Sequence, residues 1–263
     1  MPSSAVSHII LFSTAVCVVC AVLVSGSAVA LRERQAVNVE LDRKKNVLMV
    51  TGAMAAGERL SPDEIERRFA SFEAVAVDLR TGTEDPDFTV EGYDPQRAVA
   101  RAATSRPAPP NAAQIPRLPN HAVVYRKLDE AGQLELLILP VEGKGLWSTM
   151  YGYLALESDL ETIRGLTFYQ HGETPGLGGE VDNPRWKQLW PGRVAFEDGE
   201  PVIEVTRGAA GSFEIDPHRV DGLAGATLTS RGVTYMLRFW LGEHGFGPYL
   251  DRLRTEVASG QAS

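Results

Sequence analysis

No charged side chain occurs between Ile9 and Leu31, and most of that run is Val, Ile, Leu, Ala or Cys. At about 1.5 Å of rise per residue, a helix of this length crosses a hydrocarbon core of about 30 Å. Ala28-Val29-Ala30 has the small-residue character of a signal-peptidase site. However, no Lys or Arg precedes Ile9, and the run is longer than an ordinary signal-peptide core. The pattern therefore predicts a transmembrane anchor over residues 1–31. Arg32, Arg34, Arg43, Lys44 and Lys45 follow it. Counted alone, they place the rest of the chain in the cytoplasm, although that rule is weak for long translocated domains.

Beyond the anchor the pattern changes repeatedly. Residues 33–54 read as a helix continuing out of the span. "SPDEIERRFASF" starts a new helix, with Ser61 as cap, Pro62 at the first helical position and Glu64 completing a capping box; Ile65, Phe69 and Phe72 form its apolar face. "AVAVDL" (74–79) alternates as a strand does, and "DPQRAVARAA" reads as a short helix. Five prolines in "RPAPPNAAQIPRLP" (106–119) exclude regular helix or a central strand there and mark a loop or a seam between lobes. "AVVYRKL" and "QLELLILPV" flank the turn "DEAG" as a hairpin. "IRGLTFYQH", "RVAF" and "PVIEV" read as further strands. Val233, Leu237, Trp240 and Leu241 have helical spacing, in a helix starting near Thr229 or Ser230 and ending near Gly245. Strands and helices that mix without strict alternation predict an α+β fold. The expected organisation is an anchor (1–31), a membrane-proximal region ending in the Pro-rich loop (32–119) and a soluble mixed domain (120–263).

Composition narrows the chemistry. The 263 residues carry a net charge of −8, which argues against a nucleic-acid partner. The two cysteines, Cys17 and Cys20, both lie in the apolar run, so the rest of the chain has no disulfide, Cys-based zinc site or thiol nucleophile. "CVVC" has redox spacing, but two small packing residues in a membrane helix account for it.

Three stretches concentrate unusual residues. "GLWSTMYGYLAL" (145–156) sets Trp147 beside Ser148 and Thr149, joining an aromatic plane to small hydrogen-bonding groups. Such a group suits stacking on a ring system, and a core Trp accounts for it equally well. "HGETPGLGGEVDNPRWKQLWPG" (171–192) surrounds Glu173 and Thr174 with Gly172, Gly176, Gly178 and Gly179; its backbone passes close to something bulky or makes a tight surface turn. His171 reads as a hydrogen-bonded strand end, because His-x-Glu offers too few metal ligands. Trp186 and Trp190, at helical spacing, read as packing residues. "DGLAGATLTS" (221–230) puts Gly225 and Ala226 before Thr227 at the start of a helix. Free N–H groups, the positive end of the helix dipole and Arg231 one turn on suit a phosphate, while a turn with a Thr cap is the plainer reading.

Taken together, these three stretches, the N-terminal span and "GYDPQRA" (92–98) resemble the NqrC family, the C subunits of sodium-translocating NADH:quinone reductases, over nearly the whole chain. The resemblance implies FMN attached through its phosphate to the hydroxyl of Thr227, with Asp221, Gly225 and Ala226 at matching motif positions. Ala224 departs from the family's usual Ser or Thr. The resemblance also implies a separate flavin transferase that uses FAD as donor, partner subunits in the bacterial inner membrane, and a periplasmic soluble domain. The expected role is electron relay from NADH toward ubiquinone, coupled to sodium export, with no catalytic acid, base or nucleophile in this chain. The flavin ring is expected along Glu173, Thr174, Gly176, Leu177 and Gly178 and along Leu146, Trp147, Ser148 and Thr149. The shorter motif is shared with the G subunit of Rnf complexes, but "VDNPRWKQLWPG" argues against that assignment. A non-redox, membrane-anchored binding or assembly module is the alternative from another class. A hydrolase lacks any Ser-His-Asp or metal constellation.

Overall fold

A computed structural model describes residues 3–55 and 57–258 of the chain. It divides into two compact units, residues 1–44 and 45–263. Helix α1 (Ser3–Val50) begins in the first unit, and its last residues, from Lys45, belong to the second. Its stretch Val6–Arg32 is long and apolar enough to cross a membrane. The helix stops at Val50, short of Met54. The Thr51 hydroxyl folds back onto the carbonyls of Val47 and Leu48, both at 3.1 Å, and Gly52 turns the chain at φ +77°.

The second unit is built on one sheet. Helix α2 (Pro62–Phe69) opens on Ser61, whose hydroxyl accepts from the Glu64 amide at 3.3 Å. The Glu64 carboxylate accepts from Arg67 at 3.0 Å. Phe72, expected on the helix face, instead begins strand β1 (Phe72–Asp78), where it stacks on Phe69 with centroids 5.8 Å apart. Strand β2 (Thr83–Glu84) and helix α3 (Pro95–Val99) follow. The Pro-rich stretch runs between two short paired strands, β3 (Ser105–Pro107) and β4 (Arg117–Pro119). It is not a boundary between sheets, because β1 pairs with β5 (His121–Leu128) across it. Strands β5 and β6 (Leu134–Lys144) form the expected hairpin. In its turn the Asp129 carboxylate accepts from the amides of Ala131 and Gln133, and Gly132 sits at φ +79°. Strands β7 (Thr149–Glu157) and β8 (Ile163–Gln170) complete an antiparallel sheet in the order β2-β1-β5-β6-β7-β8.

The rest of the chain covers one face of this sheet. A 3-10 turn (Gly178–Asp182) leads into the short helix α4 (Pro184–Lys187). Strands β9 (Phe196–Glu197) and β10 (Glu200–Pro201) pair with each other, as do β11 (Glu204–Val205) and β12 (Arg219–Val220). Helix α5 (Thr227–Leu241) then lies along β6, and α6 (Gly247–Ala258) follows it. Val233, Met236, Leu237 and Trp240 of α5 share a core with Leu137, Leu139 and Val141 of β6 and with Trp186 and Trp190. Trp186 and Trp190 meet edge to face at 5.3 Å, as packing residues do. The Trp240 indole donates to the Glu142 carbonyl at 2.7 Å. Antiparallel strands and helices that do not alternate along the chain make an α+β domain, behind one candidate span among the described residues.

Candidate functional site

The three unusual stretches come together where α5 begins. Gly225, at φ +69°, turns the chain into the helix. A Cβ there would approach a Leu177 methyl at 3.0 Å, so the glycine loop lies directly over this turn. Ala226 is the N-cap and offers no side-chain cap. The helix therefore begins at Thr227, earlier than the expected Thr229 or Ser230. Its first backbone bond runs from the Ser230 amide to the Ala226 carbonyl at 3.0 Å. The amides of Thr227, Leu228 and Thr229 have no acceptor among the described residues.

The structure sorts the three hydroxyls of this segment. Ser230 is buried and accepts from the Leu223 amide at 3.1 Å. Thr229 is buried and donates to the Glu173 carboxylate at 2.6 Å. Thr227 is exposed, and its hydroxyl has no partner among the described residues. Arg231, one turn further along the same face, is also exposed. An exposed hydroxyl and three free amides fit a phosphate ester at this point.

Glu173 holds the neighbouring loops together. It is only 5% exposed. Its carboxylate accepts from the amides of Leu146 (3.2 Å), Trp147 (2.9 Å) and Ser148 (3.4 Å) in addition to Thr229. Burial pushes its pKa up, but the Thr229 hydroxyl and these amides outweigh burial and hold it below the ordinary value. Two glycines make room for it. A Cβ at Gly145 would come within 2.5 Å of Oε1, and one at Gly178 within 2.6 Å of both Oε2 and the Thr229 hydroxyl. The Glu173 amide donates to His171 Nδ1 at 3.2 Å, which leaves the ring proton on Nε2, 2.7 Å from Asp182. His171 is thus a structural hydrogen-bonding residue, as its position after a strand implied.

The other expected site residues divide by role. Trp147 is 65% exposed, which excludes a core position, and Leu146, Leu177, Leu228 and Tyr235 are exposed as well. Thr174 and Gly176 line the open side of the glycine loop, and the Thr174 carbonyl accepts from Leu177 and Gly179. The Ser148 hydroxyl accepts from the Gly172 amide at 2.6 Å, tying the first stretch to the second. Thr149 opens β7 at the base of this loop. Asp221 is turned inward: its carboxylate accepts from the Ala210 amide (2.8 Å) and its carbonyl from the Trp186 indole (2.9 Å). Sequence reasoning missed Thr229 as the partner of Glu173 and Lys144 as a brace. The Lys144 ammonium donates to the Trp147 carbonyl at 3.0 Å. The Thr229 contact depends on how α5 docks against β6, which no local spacing signals, whereas the Lys144 brace is local and spans only three positions.

Comparison with known proteins points to the same part of the chain. The model of the FMN-binding domain family matches residues 145–242, which contain all three stretches. The C subunit of the Na(+)-translocating NADH-quinone reductase of Pseudomonas aeruginosa is 45% identical over 259 residues, covering 95% of this chain and 96% of that one. The protein of the same name from Yersinia pestis is 42% identical, covering 90% and 89%. The crystal structure of Shewanella oneidensis NqrC superposes with a TM-score of 0.74 at 36% identity, covering 81% of this chain and 97% of that one. By sequence and fold, the chain belongs to the family of C subunits of Na(+)-translocating NADH-quinone reductases and contains an FMN-binding domain.

Proposed function

We propose that this protein carries FMN as a phosphoester on the Thr227 hydroxyl and relays electrons between partner subunits, on the path from NADH to quinone that drives sodium export. The observation that supports Thr227 is the sorting of hydroxyls: Thr229 and Ser230 are buried and bonded, whereas Thr227 is exposed and has no partner among the described residues. The amides of Thr227, Leu228 and Thr229 would hold the phosphate, with Arg231 adding positive charge. The exposed side chains of Leu146, Trp147 and Leu177 would cover part of the ring, beside Thr174 and Gly176. When bound, the flavin supplies the redox chemistry, and the protein orients it and sets its potential. An exposed attachment residue leaves space for a flavin transferase and for a neighbouring subunit to approach. The domain lies in the periplasm in this reading, anchored by the Val6–Arg32 helix.

Intact mass and in-gel fluorescence test the attachment. Full-length chain co-expressed with the transferase should gain the mass of an esterified FMN and fluoresce after denaturation. Thr227→Ala should lose both and keep the unfolding midpoint of the unmodified chain. Fluorescence persisting on the denatured Thr227→Ala band would overturn the assignment.

A further inference from the structure

Glu173 is a buried anion with no cation beside it. Its carboxylate bonds to three amides and one hydroxyl, and it joins no ion pair among the described residues. Burying an ionised carboxylate carries a large desolvation cost. Both Glu173 oxygens accept, Oε1 from the Trp147 and Ser148 amides and Oε2 from the Leu146 amide and the Thr229 hydroxyl, so the four donors are met by a carboxylate and not by a neutral amide, whose nitrogen would face a donor. The fold makes room for this carboxylate with two glycines, Gly145 beside Oε1 and Gly178 beside Oε2. It also commits the Thr229 hydroxyl, two residues beyond Thr227, to holding it.

We propose that Glu173 is the positioning residue of the flavin-bearing turn, stapling loop 146–148 to the first turn of α5 and fixing a negative charge beside the cofactor that lowers its midpoint potential. The inference rests on FMN being attached at Thr227. Two physical effects follow from the same four contacts. The staple fixes Trp147 relative to Thr227, so an aromatic side chain that is otherwise solvated keeps its place. The charge opposes the addition of electrons to any group within its reach, an interaction that solvent screens poorly when one partner is buried.

The experiment uses full-length chain co-expressed with the transferase and compares wild type, Glu173→Gln, Glu173→Asp and Thr227→Ala. Glu173→Gln removes the charge at nearly the same size and sets one amide NH2 against a backbone donor, so its amide exchange at residues 146–148 is read beside its midpoint. It should keep covalent flavin, and its midpoint in a potentiometric titration should move upward. Glu173→Asp keeps the charge and should stay nearer to wild type. A second measurement needs no flavin: amide exchange of residues 146–148 in chain expressed without the transferase should be slow in wild type and faster in Glu173→Ala and Thr229→Val. An unchanged or lowered midpoint in Glu173→Gln overturns the electrostatic role. Wild-type exchange in Thr229→Val and Glu173→Ala overturns the positioning role. Should Glu173→Ala fail to fold, Thr229→Val alone decides the exchange test. Fluorescence on denatured Thr227→Ala would instead remove the attachment reading, so the two failures are distinguishable.

Discussion

At the scale of single residues, two carboxylates on this domain meet opposite fates. Glu173 is held charged by its donors, whereas Glu142, on β6 opposite Tyr151, is pushed by burial from 4.5 to about 7. The groups that feel Glu142 are Tyr93, pushed up to about 12 by burial and then by Asp94 and Glu142, and Tyr151, raised by burial and then by Glu142. Between pH 4.5 and about 7 the folded chain holds a proton on Glu142 that the unfolded chain has lost. Unfolding free energy therefore falls as pH rises through this window. The penalty is absent below the window and complete above it, where it reaches on the order of 3 kcal/mol. Glu142→Gln removes the titration. The variant should match wild type in thermal unfolding at pH 5 and exceed it at pH 8; an equal offset at both pH values would show that Glu142 does not titrate in this window.

At the scale of elements, the approach of α5 to β6 builds the site, and a glycine sets how close they come. A Cβ on Gly232 would collide with the Lys144 carbonyl, and one on Gly143 would come within 2.7 Å of the Met236 Cβ. Gly232→Ala gains about 1 kcal/mol of helix propensity. It also drives a methyl into backbone that cannot swing aside, at a cost of about 1–3 kcal/mol or more. The collision should win, lowering the unfolding midpoint by several degrees and speeding amide exchange at residues 146–148; an unchanged or raised midpoint would mean that the helix can stand further off. This contact also shows what the sequence alone discloses. Ser61 with Pro62, the Asp129–Gly132 turn and the Trp186–Trp190 pair announce themselves, because caps, turns and helical spacing are local. The start of α5 at Thr227 does not, since Ala226 has no capping side chain. Helix α6 passes unread because Gly245 and Gly247 signal an end to helix, and its buried face is set by contacts with distant strands. Glu173 is visible as an unusual residue in a glycine loop, but its four donors come from segments 25 to 56 positions away.

At the scale of the whole molecule, the flanking charges and the proposed function point to opposite sides of the membrane for the second unit. Five basic residues, Arg32, Arg34, Arg43, Lys44 and Lys45, follow the apolar part of the Val6–Arg32 span, and no Lys or Arg precedes it. Counted alone, they favour the cytoplasm, but they precede a folded unit of more than two hundred residues, and such units translocate largely regardless of flanking charge. Acidic neighbours are interleaved among them as well, and Lys44 pairs with Glu40 at 3.3 Å. The periplasmic placement belongs to the proposed function, in which the exposed Thr227 would face a flavin transferase on that side of the membrane. Protease protection is an ambiguous test for a compact domain, since a folded unit resists digestion on either side. Thiol labelling is sharper. The only native cysteines, Cys17 and Cys20, lie within the span. A Glu130→Cys substitution in the exposed β5–β6 turn, in a chain with Cys17→Ser and Cys20→Ser, then provides a single reporter on the folded unit. A membrane-impermeant maleimide should label it in intact spheroplasts. Labelling that appears only after lysis would place Thr227 in the cytoplasm and require its flavin to be attached there.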